Sequence, residues 1–389
     1  MREHERLVII GGGPGGPSTA RAYRKAGGRA RVTLLSEEPY PPYQRPPLTK
    51  EYLRGEIGRG DLPIESPRWY GENGVELLLA TRVGSLDTER AIVETEEGEI
   101  RYGVCVLATG SEPVRLPVPG ADDPEILVMR TLENSSCLRE GVGEDDRVLV
   151  VGSGFIGCES AASLSLRGAK VILISLEQSP QKERLGEEVG ERVEDWLRGY
   201  GVGLRLGASI EGIERKDSVY EVSVESGERI AADTVLLGTG VSPRTELAER
   251  AGLAVERGII TDSAMRTSAT NVFAVGDVAQ AFNQSAGRHL SMEHWGDALE
   301  HGRIAGTVIA GGEAAWSMAP GFWSTIGDKT LKYWAWGDGW DEKRFSDKDE
   351  SFTVWYGRQG TLVGVLAHGS HEDYEEGREL IESGASFPR

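Results

Sequence analysis

Hydrophobic positions in this chain fall into short dense runs separated by glycine. Arg6-Leu7-Val8-Ile9-Ile10 is apolar after its first residue, the pattern of a strand buried on both faces in a parallel sheet. It breaks into Gly11-Gly12-Gly13-Pro14-Gly15-Gly16, and Ser18 to Ala26 then reads as a helix. Pro17 suits the first turn of that helix, where its missing N–H costs nothing. Arg31-Val32-Thr33-Leu34-Leu35 predicts a second strand, ending at Ser36-Glu37-Glu38. The same grammar returns at Arg147-Val148-Leu149-Val150-Val151. Gly152-Ser153-Gly154-Phe155-Ile156-Gly157 follows, then a predicted helix from about Cys158 to Arg167 and a strand over Val171–Ile174.

Further strands are predicted where apolar runs meet glycine. Val104 to Leu107 leads into Ala108-Thr109-Gly110, and Thr234 to Leu237 leads into Gly238-Thr239-Gly240. Val272 to Val275 leads into Gly276-Asp277. The last part of the chain changes character. Six tryptophans fall there (Trp316, Trp323, Trp334, Trp336, Trp340 and Trp355), and Ser351 to Tyr356 alternates as an antiparallel strand does. Asp341 to Glu350 is charged and reads as a solvated loop, the tryptophans read mostly as core, and a helix is expected near Tyr374–Glu382. The pattern predicts an α/β chain with two doubly wound domains and a small C-terminal α+β domain.

Composition narrows what this architecture serves. There are 52 glycines in 389 residues, about 13% against a usual share of about 7%. With 39% hydrophobic residues, disorder is excluded, so the glycines stand where the backbone needs them. A formal charge of −19 makes nucleic acid an unsuitable partner. No apolar run is long enough to span a membrane and no secretory leader opens the chain, which points to the cytoplasm. The three cysteines, Cys105, Cys137 and Cys158, form no Cys-x-x-Cys, so neither a redox dithiol nor a cysteine metal site is expected, and the histidines show no metal spacing.

A lone Gly-x-Gly-x-x-Gly means little, but here each match follows a strand and opens a helix. The first glycine makes the tight turn, the second admits a pyrophosphate and the third lets helix and strand pack. The helix N-terminus supplies free N–H groups and positive charge. Glu37 stands where an acid accepts hydrogen bonds from a ribose. In the second unit Ser175 takes that strand end, with Glu177 two residues on and Lys182 and Arg184 nearby. NADH and NADPH both remain open, with Glu177 tipping the reading towards NADH. Two dinucleotide sites in one chain suggest that one cofactor reacts with the other, typically FAD with a nicotinamide nucleotide.

The whole chain resembles the FAD-dependent pyridine nucleotide reductases, in the branch of ferredoxin and rubredoxin reductases of oxygenase systems; apoptosis-inducing factor shares the fold. The most specific segment is Pro42-Tyr43-Gln44-Arg45-Pro46-Pro47-Leu48-Thr49-Lys50. Arg130-Thr131-Leu132, Glu293-His294-Trp295 and Phe322-Trp323-Ser324 also stand in family order. The chain departs from the family after Trp323-Ser324, where Thr325-Ile326 replaces the usual Asp-Gln.

The resemblance implies an FAD-binding domain over residues 1–112 and 242–312, an NAD(P)-binding domain over 113–241 and a C-terminal domain over 313–389. It implies that Gly11, Gly13, Pro14, Gly15 and Gly16 hold the FAD pyrophosphate and Glu37 the ribose, with Arg82 and Val83 towards the adenine. Ala108, Thr109, Gly110, Arg130, Gly276 and Asp277 would fix the rest of FAD. Arg45 and Lys50 would lie beside the flavin, with His294, Trp295 and Trp323 as its aromatic surroundings. Gly152, Gly154, Phe155, Ile156, Gly157 and Ser175 would take the nicotinamide nucleotide, and Gly238, Thr239 and Gly240 would line its pocket. Lys50 and Glu159 would be the catalytic pair, a cation favouring reduced flavin and a carboxylate orienting the nicotinamide. Glu159 also reads as a first-turn acid favoured by the helix dipole.

The implied activity is hydride transfer from NAD(P)H to FAD and then one-electron transfer to an iron–sulfur or rubredoxin-type carrier. Alternatives are an NADH oxidase or quinone reductase and a redox-controlled flavoprotein resembling apoptosis-inducing factor. A monomer or homodimer is expected.

Overall fold

A computed structural model describes residues 6–348 and 350–388. The two glycine-punctuated units form as predicted. Strand β1 (Arg6–Ile10), helix α1 (Gly15–Lys25) and strand β2 (Arg31–Leu35) make the first. β1 is the centre of a five-stranded parallel sheet, flanked by β2 and then Val75–Leu78 on one side, and by Val104–Leu107 and then Val272–Ala274 on the other. β3 (Arg147–Val151), α2 (Phe155–Leu166) and β4 (Lys170–Ser175) make the second unit. β3 likewise centres a parallel sheet, with β4 and Gly203–Leu206 on one side and Thr234–Leu237 and Leu127–Val128 on the other. Leu7, Val8, Ile9, Leu149 and Val150 are fully buried, as apolar runs of two-sided strands must be.

Helix α3 (Trp295–Ile309) lies across α1. A Cβ on Gly302 would stand 2.4 Å from the Gly15 carbonyl oxygen, and one on Gly306 would stand 2.3 Å from that of Thr19. Only glycine permits so close a crossing. Ser111–Pro113 and Val241–Pro243, which leave the ends of the two sheets, pair with each other as an antiparallel ribbon.

The C-terminal region is a five-stranded antiparallel sheet, β5 (Gly321–Ile326), β6 (Lys329–Ala335), β7 (Glu342–Lys348), β8 (Ser351–Arg358) and β9 (Thr361–His368), followed by helix α4 (His371–Glu382). Alternation along β9 sends Leu366 into the core shared with α2 and Val365 into the core shared with α1 and α3.

Several local expectations are corrected. The charged segment after Trp340 is not a loop: β7 pairs with β8 along its length at the sheet edge. Phe345 stacks on Phe352, while the strand's charges suit an unpaired edge. The tail tryptophans are mostly core, as expected: Trp316 and Trp336 are buried, Trp334, Trp340 and Trp355 pack half-buried against the cores, and Trp323 is 42% exposed. The helices begin three residues earlier than the apolar pattern suggested, at Gly15, Phe155 and His371. Among the described residues no helix is long and apolar enough to cross a membrane.

Candidate active site

At the carboxyl end of the first sheet lies a cleft of about 460 Å³. Its floor is the first glycine turn. A Cβ on Gly11 would meet the Ala108 carbonyl oxygen at 2.1 Å and one on Gly16 the Gly11 oxygen at 2.3 Å, whereas nothing stands within 4 Å of a Cβ on Gly13. Gly11 and Gly16 therefore lock strand, turn and helix together, and Gly13 leaves its space open. The second turn repeats this arrangement. Gly152 would meet the Gly238 oxygen at 2.3 Å and Gly157 the Gly152 oxygen at 2.0 Å, while a Cβ on Gly154 would find only ordinary contacts at 3.9 Å. An open second glycine beneath a helix N-terminus, in each unit, fits a pyrophosphate.

The cleft collects the predicted FAD-side residues Gly11, Gly13, Pro14, Gly15, Glu37, Arg45, Arg82, Val83, Ala108, Thr109, Gly110, Arg130, Gly276 and Asp277. Gly16 is buried in the turn beneath it. Lys50, His294, Trp295 and Trp323 do not line it. Polar contacts order its walls. Arg130 pairs with Asp277 at 2.8 Å, and Ser111 Oγ donates to the same Asp277 oxygen at 2.8 Å. Arg45 donates to the Arg130 carbonyl at 2.5 Å and to Glu38 at 2.8 Å. Glu37 accepts from Arg244 at 2.5 Å. A ribose hydroxyl, a pyrophosphate and a polyhydroxyl chain all find suitable groups here, so the residues fit FAD.

Lys50 and Glu159 lie deeper, only 6% and 4% exposed, and pair at 2.7 Å. Because α2 starts at Phe155, Glu159 sits in its second turn and not its first. The helix dipole therefore does not explain it. Burial makes an unpaired charge costly, and four donors answer that cost. Thr49 Oγ1 and Lys50 Nζ donate to Glu159 Oε2 at 2.5 and 2.7 Å. Ser324 Oγ and the Thr325 N–H donate to Oε1 at 2.8 and 3.0 Å. Ser163, one helical turn beyond Glu159, donates to the Thr49 carbonyl at 2.7 Å.

Above the second turn, Phe155 packs against Phe322 with centroids 4.5 Å apart, and Phe322 meets His294 at 4.9 Å. Arg184 lies over Phe155 at 6.0 Å. Dense packing, and then Arg184, push the His294 imidazole down to about 4. Trp295 is the first residue of α3, and Ile156 is exposed at the α2 N-terminus. Thr239 donates to the Val114 carbonyl at 2.5 Å as Thr109 donates to that of Arg244 at 3.0 Å, another repeat between the units. Ser175 is buried and shares a 2.7 Å hydrogen bond with Ser153, which donates to Glu177 at 2.9 Å. Glu177 also accepts from the N–H groups of Gln181 and Glu183 at 3.1 and 3.2 Å.

Sequence reasoning passed over Arg244, Ser111, Thr49 and Ser153 as site residues. Arg244 and Ser111 belong to no motif of fixed spacing, whereas Thr49 lies inside the Pro42–Lys50 segment and Ser153 inside the second glycine turn, so those two were open to suspicion. The thiols take no part in a redox pair. All three are free, and burial pushes those of Cys105 and Cys158 far up, so they are not nucleophiles.

The family follows from these features together with direct comparison. Residues 5–302 match the pyridine nucleotide-disulphide oxidoreductase family, and residues 321–389 match the reductase C-terminal domain. The chain belongs to the pyridine nucleotide-disulphide oxidoreductases and is an FAD-dependent oxidoreductase using NAD(P)H. Among its relatives is the rubredoxin-NAD(+) reductase of Pseudomonas putida, 33% identical over 84% of this chain and 85% of the relative. Putidaredoxin reductase of Pseudomonas putida is 30% identical over 98% of this chain and 92% of the relative. Among solved structures, the covalent putidaredoxin reductase–putidaredoxin complex superposes with a TM-score of 0.92 at 29% identity, covering 98% of this chain and 93% of that one. The ferredoxin reductase of the CYP199A2 system from Rhodopseudomonas palustris gives 0.93, also at 29%, covering 98% and 96%.

Proposed function

We propose that this chain is an NADH-dependent ferredoxin or rubredoxin reductase, passing electrons singly to an iron–sulfur or rubredoxin-type carrier protein of an oxygenase system. The Lys50–Glu159 pair carries the reading, because it joins the segment beside the FAD cleft to the helix that opens at the second glycine turn. Bound FAD supplies the conversion between hydride and single-electron chemistry. The chain's part is to hold both nucleotides by the open glycines and helix N-termini, to offer the Lys50 ammonium beside the flavin and to keep water out. Glu159 fixes that ammonium and faces the nicotinamide side. The three free cysteines offer no dithiol to relay electrons between bound FAD and the carrier, and relatives are named as reductases of rubredoxin and putidaredoxin.

Two further assignments belong to this reading. Residues 1–112 with 242–312 form the FAD-binding domain, 113–241 the NAD(P)-binding domain and 313–389 the C-terminal domain; the ribbon of Ser111–Pro113 with Val241–Pro243 supports both crossing points. The compartment is the cytoplasm, which suits three free thiols.

The geometry around β4 supports NADH. Glu177 is anchored beside the second turn by Ser153 and two backbone N–H groups, where a 2′-phosphate would meet its negative charge. The nearby cations are engaged elsewhere: Lys182 pairs with Glu187 at 2.8 Å and Arg184 lies over Phe155.

Anaerobic stopped-flow bleaching of the purified yellow protein tests the whole reading. NADH should bleach the flavin far faster than NADPH, and an added ferredoxin or rubredoxin should restore its colour. Glu177→Gln should narrow the coenzyme preference about tenfold, the worth of one screened charge contact. Failure of both coenzymes to bleach would refute the assignment. Reoxidation faster with oxygen than with any carrier would replace it with an oxidase.

A further inference from the structure

We propose that the C-terminal sheet is part of the redox centre: Ser324 and the Thr325 backbone are positioning groups that orient the Glu159 carboxylate and, through it, the Lys50 ammonium. The inference rests on the reading above that Lys50 stands beside the flavin.

The carboxylate is gripped from two sides by different parts of the chain. Thr49 and Lys50 hold Oε2, and β5 holds Oε1 through one hydroxyl and one backbone N–H. With both oxygens fixed, the carboxylate plane cannot rotate, so the ammonium bonded to it has one direction in which to point. Removing the β5 donors leaves Oε2 as a pivot. Glu159 and Lys50 would still touch, but their shared orientation would be lost.

The competing explanation is that Ser324 is a packing residue that took the nearest acceptor. Its place in the strand argues otherwise. β5 alternates, with Phe322, Ser324 and Ile326 buried and Trp323 exposed. Ser324 is a fully buried hydroxyl between two apolar inward residues, where burying a polar group is unfavourable without a matched partner. Its acceptor is the Glu159 carboxylate, and the next residue's N–H adds a second donor to the same oxygen. The Thr325 contact is through the backbone, so it does not depend on the side chain that departs from the family pattern.

The test compares the holoenzyme with Ser324→Ala, Ser324→Cys, Ser324→Thr, Glu159→Gln and Lys50→Met. FAD content, Tm, flavin midpoint potential and the NADH bleaching rate are read for each. Ser324→Ala should keep its FAD and bleach about tenfold more slowly, the loss expected for one hydrogen bond to a charged group. Its potential should move negative, in the direction of Lys50→Met. Ser324→Thr should restore both values, and Ser324→Cys, a weaker donor that fills the same space, should fall between. A wild-type rate and potential in Ser324→Ala, with Lys50→Met and Glu159→Gln impaired, overturns this inference alone. If Lys50→Met and Glu159→Gln also behave as wild type, Lys50 is not the flavin-side cation and both readings fall. A Ser324→Ala that lowers only Tm, with rate and potential intact, makes Ser324 a packing residue and also overturns the inference.

Discussion

Neither ring nitrogen of His301 has a hydrogen-bond partner among the described residues, and its ring meets Trp316 edge-on at 4.5 Å between centroids. Burial pushes the imidazole from its ordinary 6.5 down to about 4. Between pH 6.5 and 4 the unfolded chain therefore binds a proton that the folded chain refuses. Stability from this residue is complete above pH 6.5 and is lost as pH falls through that window, by about 3 kcal/mol. His301→Phe, which keeps the edge-on contact, should flatten the fall of Tm between pH 6.5 and 4; an unchanged acid slope would trace the loss to another group. Such residues were not legible beforehand. His301 carries no motif, and its environment is assembled from α3 and a tryptophan outside that helix. Glu37, Arg45 and Lys50 were legible because they stand at fixed distances from a glycine turn.

At the scale of elements, the two glycine turns obey one rule with two consequences. The second glycine has room for a methyl group, with nothing nearer than 3.9 Å, and the third faces a backbone carbonyl. Gly154→Ala should therefore keep its FAD and its Tm, yet raise the KM for NADH about tenfold or more by intruding on the pyrophosphate. Gly157→Ala, whose methyl would stand 2.0 Å from the Gly152 oxygen, should lose about 3 kcal/mol by forcing helix from strand. Equal thermal losses in the two variants would contradict this division of labour. Both turns were readable from sequence because strand, turn and helix are contiguous. β7 was misread because its pairing is not: Glu342 to Lys348 become a strand only when β8 supplies their hydrogen bonds.

For the whole molecule, the net charge of −19 sets how a carrier approaches. Against an acidic ferredoxin the long-range field is repulsive. It is screened as the Debye length falls from about 30 Å at 0.01 M salt to about 8 Å at 0.15 M. The second-order rate of carrier reduction should therefore rise with salt over that range, measured by stopped flow with prereduced enzyme. A rate that falls steadily would mean that local cations, and not net charge, govern docking.

The sequence by itself determined the two strand–turn–helix units, the nucleotide class they bind and the absence of a dithiol, because each depends on residues adjacent in the chain or simply missing from it. The tertiary structure decided which charges meet. Glu159 with Ser324, Arg244 with Glu37 and Ser111 with Asp277 are joined only by folding, and nothing in their spacing announces it. The physical reason, for Glu159 and Asp277, is that a buried carboxylate needs donors from whatever surrounds it. Around Glu159 those donors come from two stretches of chain, at Thr49–Lys50 and Ser324–Thr325, each far from it in sequence.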